Sequence, residues 1–147
     1  MRGRQVDTCG TDVRDFTMAR VTVVNDTADF LDLVHDILEG DRYETTLIDG
    51  DRQDAFELVR TSRPDLLMID LRLGGEGLSG WEVAQRVRAD PNFVGLPVII
   101  CSADVQAMSE LEGDLAGARH VATLTKPFDI DVLIDTIDRL LAETASP

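Results

Sequence analysis

The sequence predicts a single α/β domain: five parallel strands alternating with five helices, in three layers with helices on both faces of the sheet. Three observations carry this prediction. Short apolar runs recur between Met18 and Leu141, and after each one the apolar spacing changes from continuous to helical. Strands that alternate with helices connect through right-handed crossovers, which make the sheet parallel and cover both its faces. Four of the runs end in polar or charged residues, and open α/β sheets place their ligands beyond the carboxyl ends of the strands.

Each element has its own justification. Residues 1–17 are polar and without a sustained period, and are expected to form a disordered leader, with the domain proper over 18–147. Val21-Thr22-Val23-Val24 predicts a first strand running into Asn25-Asp26. Phe30, Leu33, Val34, Ile37 and Leu38 share one face of a helix that Gly40 ends. A second strand spans Tyr43 to Ile48, and Asp49-Gly50 reads as a turn. Ala55, Phe56, Leu58 and Val59 form a short helix that stops before Pro64, because a residue preceding proline is driven out of the helical region. Leu66-Leu67-Met68-Ile69 is apolar throughout, as in a strand buried on both faces, and ends on Asp70. A glycine-rich loop from Gly74 to Gly80 leads into a helix with Val83, Ala84 and Val87 on one face, stopped at Asp90-Pro91. Val98-Ile99-Ile100-Cys101 runs into Ser102 and a helix from Val105 to Leu115. The fifth strand, Val121 to Thr125, ends at Lys126-Pro127. Ile130, Leu133, Ile134, Ile137, Leu140 and Leu141 make the closing amphipathic helix. The pattern by itself leaves the order of the strands open.

Composition narrows the function. The chain has 147 residues, 44% of them apolar, enough for one domain with its own core and no disulfide framework. Cys101 sits inside an apolar run and reads as a packed thiol. Cys9 lies in the leader and reads as free, which fits a reducing cytoplasm. Fourteen basic residues against 28 acidic ones leave a formal net charge of −14, which argues against direct nucleic-acid binding through the phosphate backbone. No stretch approaches the roughly 20 apolar residues of a membrane span, and no apolar segment of a secretory signal follows Arg2 and Arg4. A soluble, acidic, cytoplasmic protein without membrane insertion is expected.

The polar strand ends share one chemistry. With parallel strands, Asp26, Asp70, Ser102 and Lys126 meet on one rim, with Asn25 beside them. Mg²⁺ (or Mn²⁺) takes about six oxygen ligands, usually one or two carboxylates completed by waters and phosphate oxygens. Asp26 and Asp70 offer the carboxylates, and the backbone carbonyl of Arg72 a third oxygen. A carboxylate can also attack phosphorus to form an acyl phosphate. The metal and Lys126 would neutralise the phosphoryl charge while the Ser102 hydroxyl bonds one of its oxygens. Taken singly, each residue has an ordinary explanation: Asp26 or Thr27 can cap the first helix, and Ser102 the fourth. Unrelated caps do not explain all of them falling at the strand ends of one alternating chain. Arg72 and Asp104, each two residues beyond a site residue, are expected to flank the pocket and pair across its mouth.

These residues resemble the receiver domain of two-component response regulators, over Met18 to Leu141. The motifs are Asn25-Asp26 in place of an acidic pair, Asp65-Leu66-Leu67-Met68-Ile69-Asp70 around the phosphoacceptor, Gly80-Trp81-Glu82, Ser102-Ala103 and Lys126-Pro127-Phe128. The resemblance implies a flavodoxin-like fold with strand order 2-1-3-4-5 and a cis peptide before Pro127. It also implies Mg²⁺-dependent phosphotransfer to Asp70 from a histidine kinase or phosphotransfer protein. The expected product is a stand-alone phosphoacceptor rather than an enzyme, with an unknown output protein, signalling by docking or by phosphorelay. Three departures are visible. Asn25 replaces the first acid of the pair, so metal binding is expected to be weaker, with Asn25 ordering a metal-bound water. Leu73-Gly74 replaces the usual Met-Pro, in a loop about two residues longer and made flexible by its glycines. Thr123 stands where an aromatic residue is usual, so output is expected through the loop after Ser102 and the fourth helix.

Rival readings have weaker support. A phosphorylation-independent interaction module of the same fold is compatible with Asn25 and Thr123. Gly75-Glu76-Gly77-Leu78-Ser79-Gly80 matches the dinucleotide pattern G-x-G-x-x-G, but follows the third strand and puts Glu76 where pyrophosphate would sit. A D-x-D phosphatase loop at Asn25-Asp26-Thr27 would need its first acid at Val24. His35 and His120 have no metal-ligand spacing with any cluster.

Overall fold

The structure is a computed structural model that describes residues 18–51, 54–73, 79–115 and 117–145. The expected leader, residues 1–17, and the glycine-rich stretch 74–78 lie outside the described residues. The chain runs through β1 (Arg20–Asn25), α1 (Ala28–Gly40), β2 (Glu44–Asp49), α2 (Ala55–Ser62) and β3 (Leu66–Asp70). It continues through α3 (Gly80–Arg88), a 3₁₀ turn (Pro91–Phe93), β4 (Val98–Ser102), α4 (Val105–Asp114), β5 (Val121–Thr125) and α5 (Ile130–Ala145). The strands are parallel in the order β2-β1-β3-β4-β5, the order implied by the resemblance.

Alternation along the strands divides the core in two. Val21 and Val23, Leu66 and Met68, Ile99 and Cys101 face one side, where α1 and α5 cover them with Val34, Leu38, Leu133 and Ile137. Val24, Leu67, Ile69, Val98 and Ile100 face the other, under α2, α3 and α4. The central strand β3 is buried at every position, which its unbroken apolar run foretold. Each fully buried aliphatic side chain here contributes about 1.5–3 kcal/mol.

The buried face of α1 is narrower than the sequence predicted. Leu31, Val34 and Leu38 are buried and Phe30 and Ile37 half-buried, whereas Leu33 is 56% exposed. Leu33 stands about 100° round the helix from Val34, past the edge of the stripe that a flat sheet can cover. Side chains set the helix starts. Ser79 and Glu82 form a capping box at α3, with Ser79 Oγ accepting from the Glu82 amide at 3.2 Å and Glu82 Oε1 from the Ser79 amide at 2.9 Å. Asp104 caps α4 by accepting from the Ala107 amide at 2.9 Å. The Tyr43 hydroxyl donates to Asp138, fastening the approach to β2 onto α5; burial first, and then that carboxylate, raise the phenol well above its ordinary pKa.

One glycine is required by close approach. The Gly80 amide donates to the Leu71 carbonyl at 2.8 Å, and a Cβ at residue 80 would stand 2.0 Å from the carbonyl oxygen of Asp70. Only a hydrogen fits between the start of α3 and the end of β3. Gly80→Ala should therefore lower the free energy of unfolding by about 1–3 kcal/mol or more. Gly113→Ala, where nothing lies within 4 Å of the new carbon, should raise it by up to about 1 kcal/mol. Urea denaturation of the two variants checks both signs.

Candidate functional site

The register of the sheet brings the carboxyl ends of its strands level. Val24 lies opposite Ile69, so Asn25 and Asp70 end β1 and β3 together, while Cys101 pairs with both Asp70 and Leu124. Beyond the strands the ladder continues: Leu71 N donates to Cys101 O and Lys126 N to Ser102 O, each at 2.8 Å. Asn25, Asp70 and Ser102 are the buried polar side chains of this rim.

Asp70 is its centre. Oδ2 accepts from Lys126 Nζ at 2.7 Å and from Asn25 Nδ2 at 2.9 Å, and Oδ1 accepts from the Arg72 amide at 3.1 Å. The Lys126 ammonium also lies 4.1 Å above the Phe30 ring, a favourable cation–π geometry, and Phe30 meets Phe128 edge to face. Two rings from α1 and the β5–α5 connection thus seat the cation that faces Asp70. The Lys126–Pro127 peptide is cis, as the resemblance implied.

Ser102 stands on the same rim, its Oγ accepting from the Asp104 amide at 3.0 Å. Asp104 also reaches Arg72, whose Nη2 and Nε lie 2.6 and 2.9 Å from Asp104 Oδ2. The expected pair is therefore present and joins the β3–α3 connection to the start of α4. The Ala107 amide, and next the Arg72 guanidinium, hold the Asp104 carboxyl below the usual carboxylate range.

Asp26 follows Asn25 and is exposed, its Oδ1 accepting from the Thr27 hydroxyl at 3.4 Å. Asn25 is engaged at both ends of its amide: Nδ2 donates to Asp70, and Oδ1 accepts from Thr27 N at 2.8 Å. It enters the site as a donor to Asp70, a role its place in the sequence does not reveal. The oxygen donors the sequence nominates for a divalent cation, the Asp26 and Asp70 carboxylates and the Arg72 carbonyl, lie at and just beyond the carboxyl ends of β1 and β3. Oxygen donors of that kind fit Mg²⁺ when waters complete its octahedron. Among the described residues no cluster of three or more His, Cys, Asp or Glu side chains is arranged to hold a metal. Cys101 borders the site from β4. Burial pushes its thiol up to about 12, with Lys126 pulling the value down and Asp70 raising it.

A family model described as the response regulator receiver domain matches residues 21–138. The chain belongs to the response regulator receiver family. Among its relatives, the DNA-binding dual master transcriptional regulator RpaA of Synechocystis is 33% identical over 128 residues, covering 86% of this chain and 51% of RpaA. Protein PilH of Pseudomonas aeruginosa is 29% identical over 125 residues, covering 85% of this chain and 99% of PilH. This receiver spans about half the length of the first group of relatives it matches, RpaA and the MtrA response regulators. Its fold resembles that of the chemotaxis response regulator CheY4 of Vibrio cholerae, with TM-score 0.70 and 26% identity over 84% of this chain and 99% of CheY4. Receiver domains are signalling domains whose family binds Mg²⁺ in the active site.

Asn25→Asp would set a second carboxylate against Asp70 in place of a donor. It should destabilise the metal-free receiver by about 1–3 kcal/mol and enlarge the upward Tm shift produced by Mg²⁺. Scanning calorimetry with and without MgCl₂ checks both effects. An unchanged Mg²⁺ shift would put residue 25 out of the metal's reach.

Proposed function

We propose that this receiver accepts a phosphoryl group on Asp70 from a histidine kinase or phosphotransfer protein. The reaction is Mg²⁺-dependent, and the signal then passes to a partner protein by docking or by phosphorelay. The observation that carries the reading is the Lys126 ammonium 2.7 Å from Asp70 Oδ2, at the rim where four strands end. Phosphoryl transfer needs mainly an in-line nucleophile and charge neutralisation. An Asp70 oxygen bonds phosphorus as the bond to the donor's imidazole nitrogen breaks, and that nitrogen keeps the electron pair. Lys126, pinned between Asp70 and Phe30, is placed to meet the negative charge on the incoming oxygens. Ser102 Oγ accepts from the Asp104 amide and so still has its own proton to donate to a phosphoryl oxygen. Asp26, Asp70 and the Arg72 carbonyl would hold the Mg²⁺, with Asn25 able to reach it only through water. A bound Mg²⁺ supplies further neutralisation of the phosphoryl oxygens.

The Arg72–Asp104 pair, close to Asp70 through the Arg72 amide, would then hinder a hydrolytic water approaching the phosphoryl group. Thr123, partly buried on β5, reaches Glu112 of α4 with its hydroxyl at 3.5 Å and is too small to act as an aromatic switch. Output through α4 follows from both features. Cys101 is a free thiol, in keeping with action in the reducing cytoplasm. A phosphorylation-independent interaction module is the second reading, favoured by the Asn25 amide that already occupies an oxygen of Asp70.

Incubation with acetyl phosphate and Mg²⁺ should add one phosphoryl mass, and Asp70→Asn or EDTA should abolish the gain. A receiver that gains no mass from either acetyl phosphate or a kinase belongs to the second reading. Arg72→Ala should speed loss of the phosphoryl group several-fold, followed as the decay of that mass. An unchanged decay would remove the pair from any gating role.

A further inference from the structure

A groove of about 580 Å³ lies between α3 and α4, next to the site but outside its chemistry. Its floor is Leu71, Ala107 and Leu111, and the half-buried Trp81 forms one wall. Glu82, Glu110 and Asp114 stand along its edges. Glu82 is committed to the α3 capping box. The carboxylates of Glu110 and Asp114 form no ion pair or hydrogen bond among the described residues.

The electrostatics of α4 are unbalanced without a partner. The helix carries Glu110, Glu112 and Asp114 and no basic residue. Glu110 and Asp114 are spaced i, i+4, where like charges repel. All three acids lie toward the carboxyl end of the helix, where the macrodipole already places negative charge. The facing helix carries two basic residues, Arg86 and Arg88, and neither lines the groove; Arg88 Nη2 donates to the Arg119 carbonyl at 2.8 Å. An apolar floor, an aromatic wall and uncompensated carboxylates describe the complement of a basic, amphipathic segment.

We propose that the α3–α4 groove docks a basic amphipathic helix of the protein that reads this receiver. A helix fits because the groove runs between two helices, where an apolar face can lie along the floor. Its lysines or arginines meet Glu110 and Asp114, and one cation can stack on Trp81. This rests on the phosphoacceptor reading and names the chemistry of the output partner. The groove is wired to the site at both edges. Leu71 directly follows Asp70 and is bonded to Cys101 of β4 and Gly80 of α3, each at 2.8 Å. At the other edge Asp104 caps α4 while its amide holds Ser102. Docking and phosphorylation are therefore coupled, each altering the free energy of the other.

Trp81 is the chain's one tryptophan, so its emission reports on the groove without a label. The probe is a synthetic amphipathic helix of leucine and lysine, titrated at physiological ionic strength. Saturable binding with a change in Trp81 emission is expected. Glu110→Lys with Asp114→Lys should weaken it about tenfold or more; both lysines suit the end of a helix, so the fold is kept. Asp131→Lys with Asp135→Lys on α5 changes the net charge equally and should leave the affinity within about twofold. Equal weakening by both pairs, binding without a Trp81 change, or no binding overturns the groove. Equal binding of a leucine–glutamate helix overturns the basic chemistry of the partner. Beryllofluoride with Mg²⁺ should shift the peptide affinity several-fold, and an unchanged affinity overturns the coupling. Mass gain from acetyl phosphate is read on the same proteins: a groove that fails while wild type still gains mass fails alone, whereas no gain in wild type rejects the phosphoacceptor reading instead.

Discussion

One oxygen of Asp70 receives the Asn25 amide from β1 and the Lys126 ammonium from beyond β5, while Asp70 itself ends the strand between them. A carboxylate closing a fully buried strand needs such partners, since an uncompensated buried charge costs several kcal/mol. Each partner arrives from a different strand. The carboxylate is therefore satisfied only when β1, β3 and β5 hold their register, and that register is set by the alternation of the two cores. On the backbone side Gly80 closes against the same residue, so Asp70 is fixed both at its side chain and at its carbonyl. The rest of the rim is arranged around an atom with little freedom to move.

How far the sequence could be read follows from what each feature depends on. The strands lie within one residue of the apolar runs that predicted them, because a strand buried on both faces writes its burial directly into consecutive residues. Strand order came only through the family resemblance, since a local pattern carries no record of which strand lies beside which. Asp70 and Lys126 were legible because they interrupt an apolar run at its end. Asn25 was legible as a position, but its hydrogen bonds to Asp70 and Thr27 were not. An amide carries both a donor and an acceptor, and only the neighbouring Thr27 amide and Asp70 carboxylate decide which way it faces. Phe30 read as an ordinary core residue, and nothing in its spacing places Lys126 over its ring. Leu33 was assigned to the buried stripe because periodicity gives the direction of a helical face better than its width.

One departure from the family pattern, Thr123, and one neighbour of the rim, Asp104, both meet α4. Thr123 bonds Glu112 of α4, and Asp104 joins the cap of α4 to both Ser102 and Arg72. The helix is short, acidic and held mainly by Met108 and Leu111 on its inner face. A segment with few buried contacts and an unfavourable charge distribution lies at the low-stability end of a domain, from which moving elements are drawn. The contacts that leave the rim at Ser102 and Arg72 thus end on this helix.

Cys101 gives this architecture a consequence of another kind. Its thiol sits in register with Asp70, shut inside the core, with an ionisation pushed up to about 12. The thiolate is the reactive form, so burial that raises the ionisation and closes off access keeps the thiol inert in the native fold. Alkylation in the native protein must then wait for β4 to part from its neighbours. The rate at which a thiol reagent captures Cys101 thereby records how often the sheet opens one strand away from Asp70.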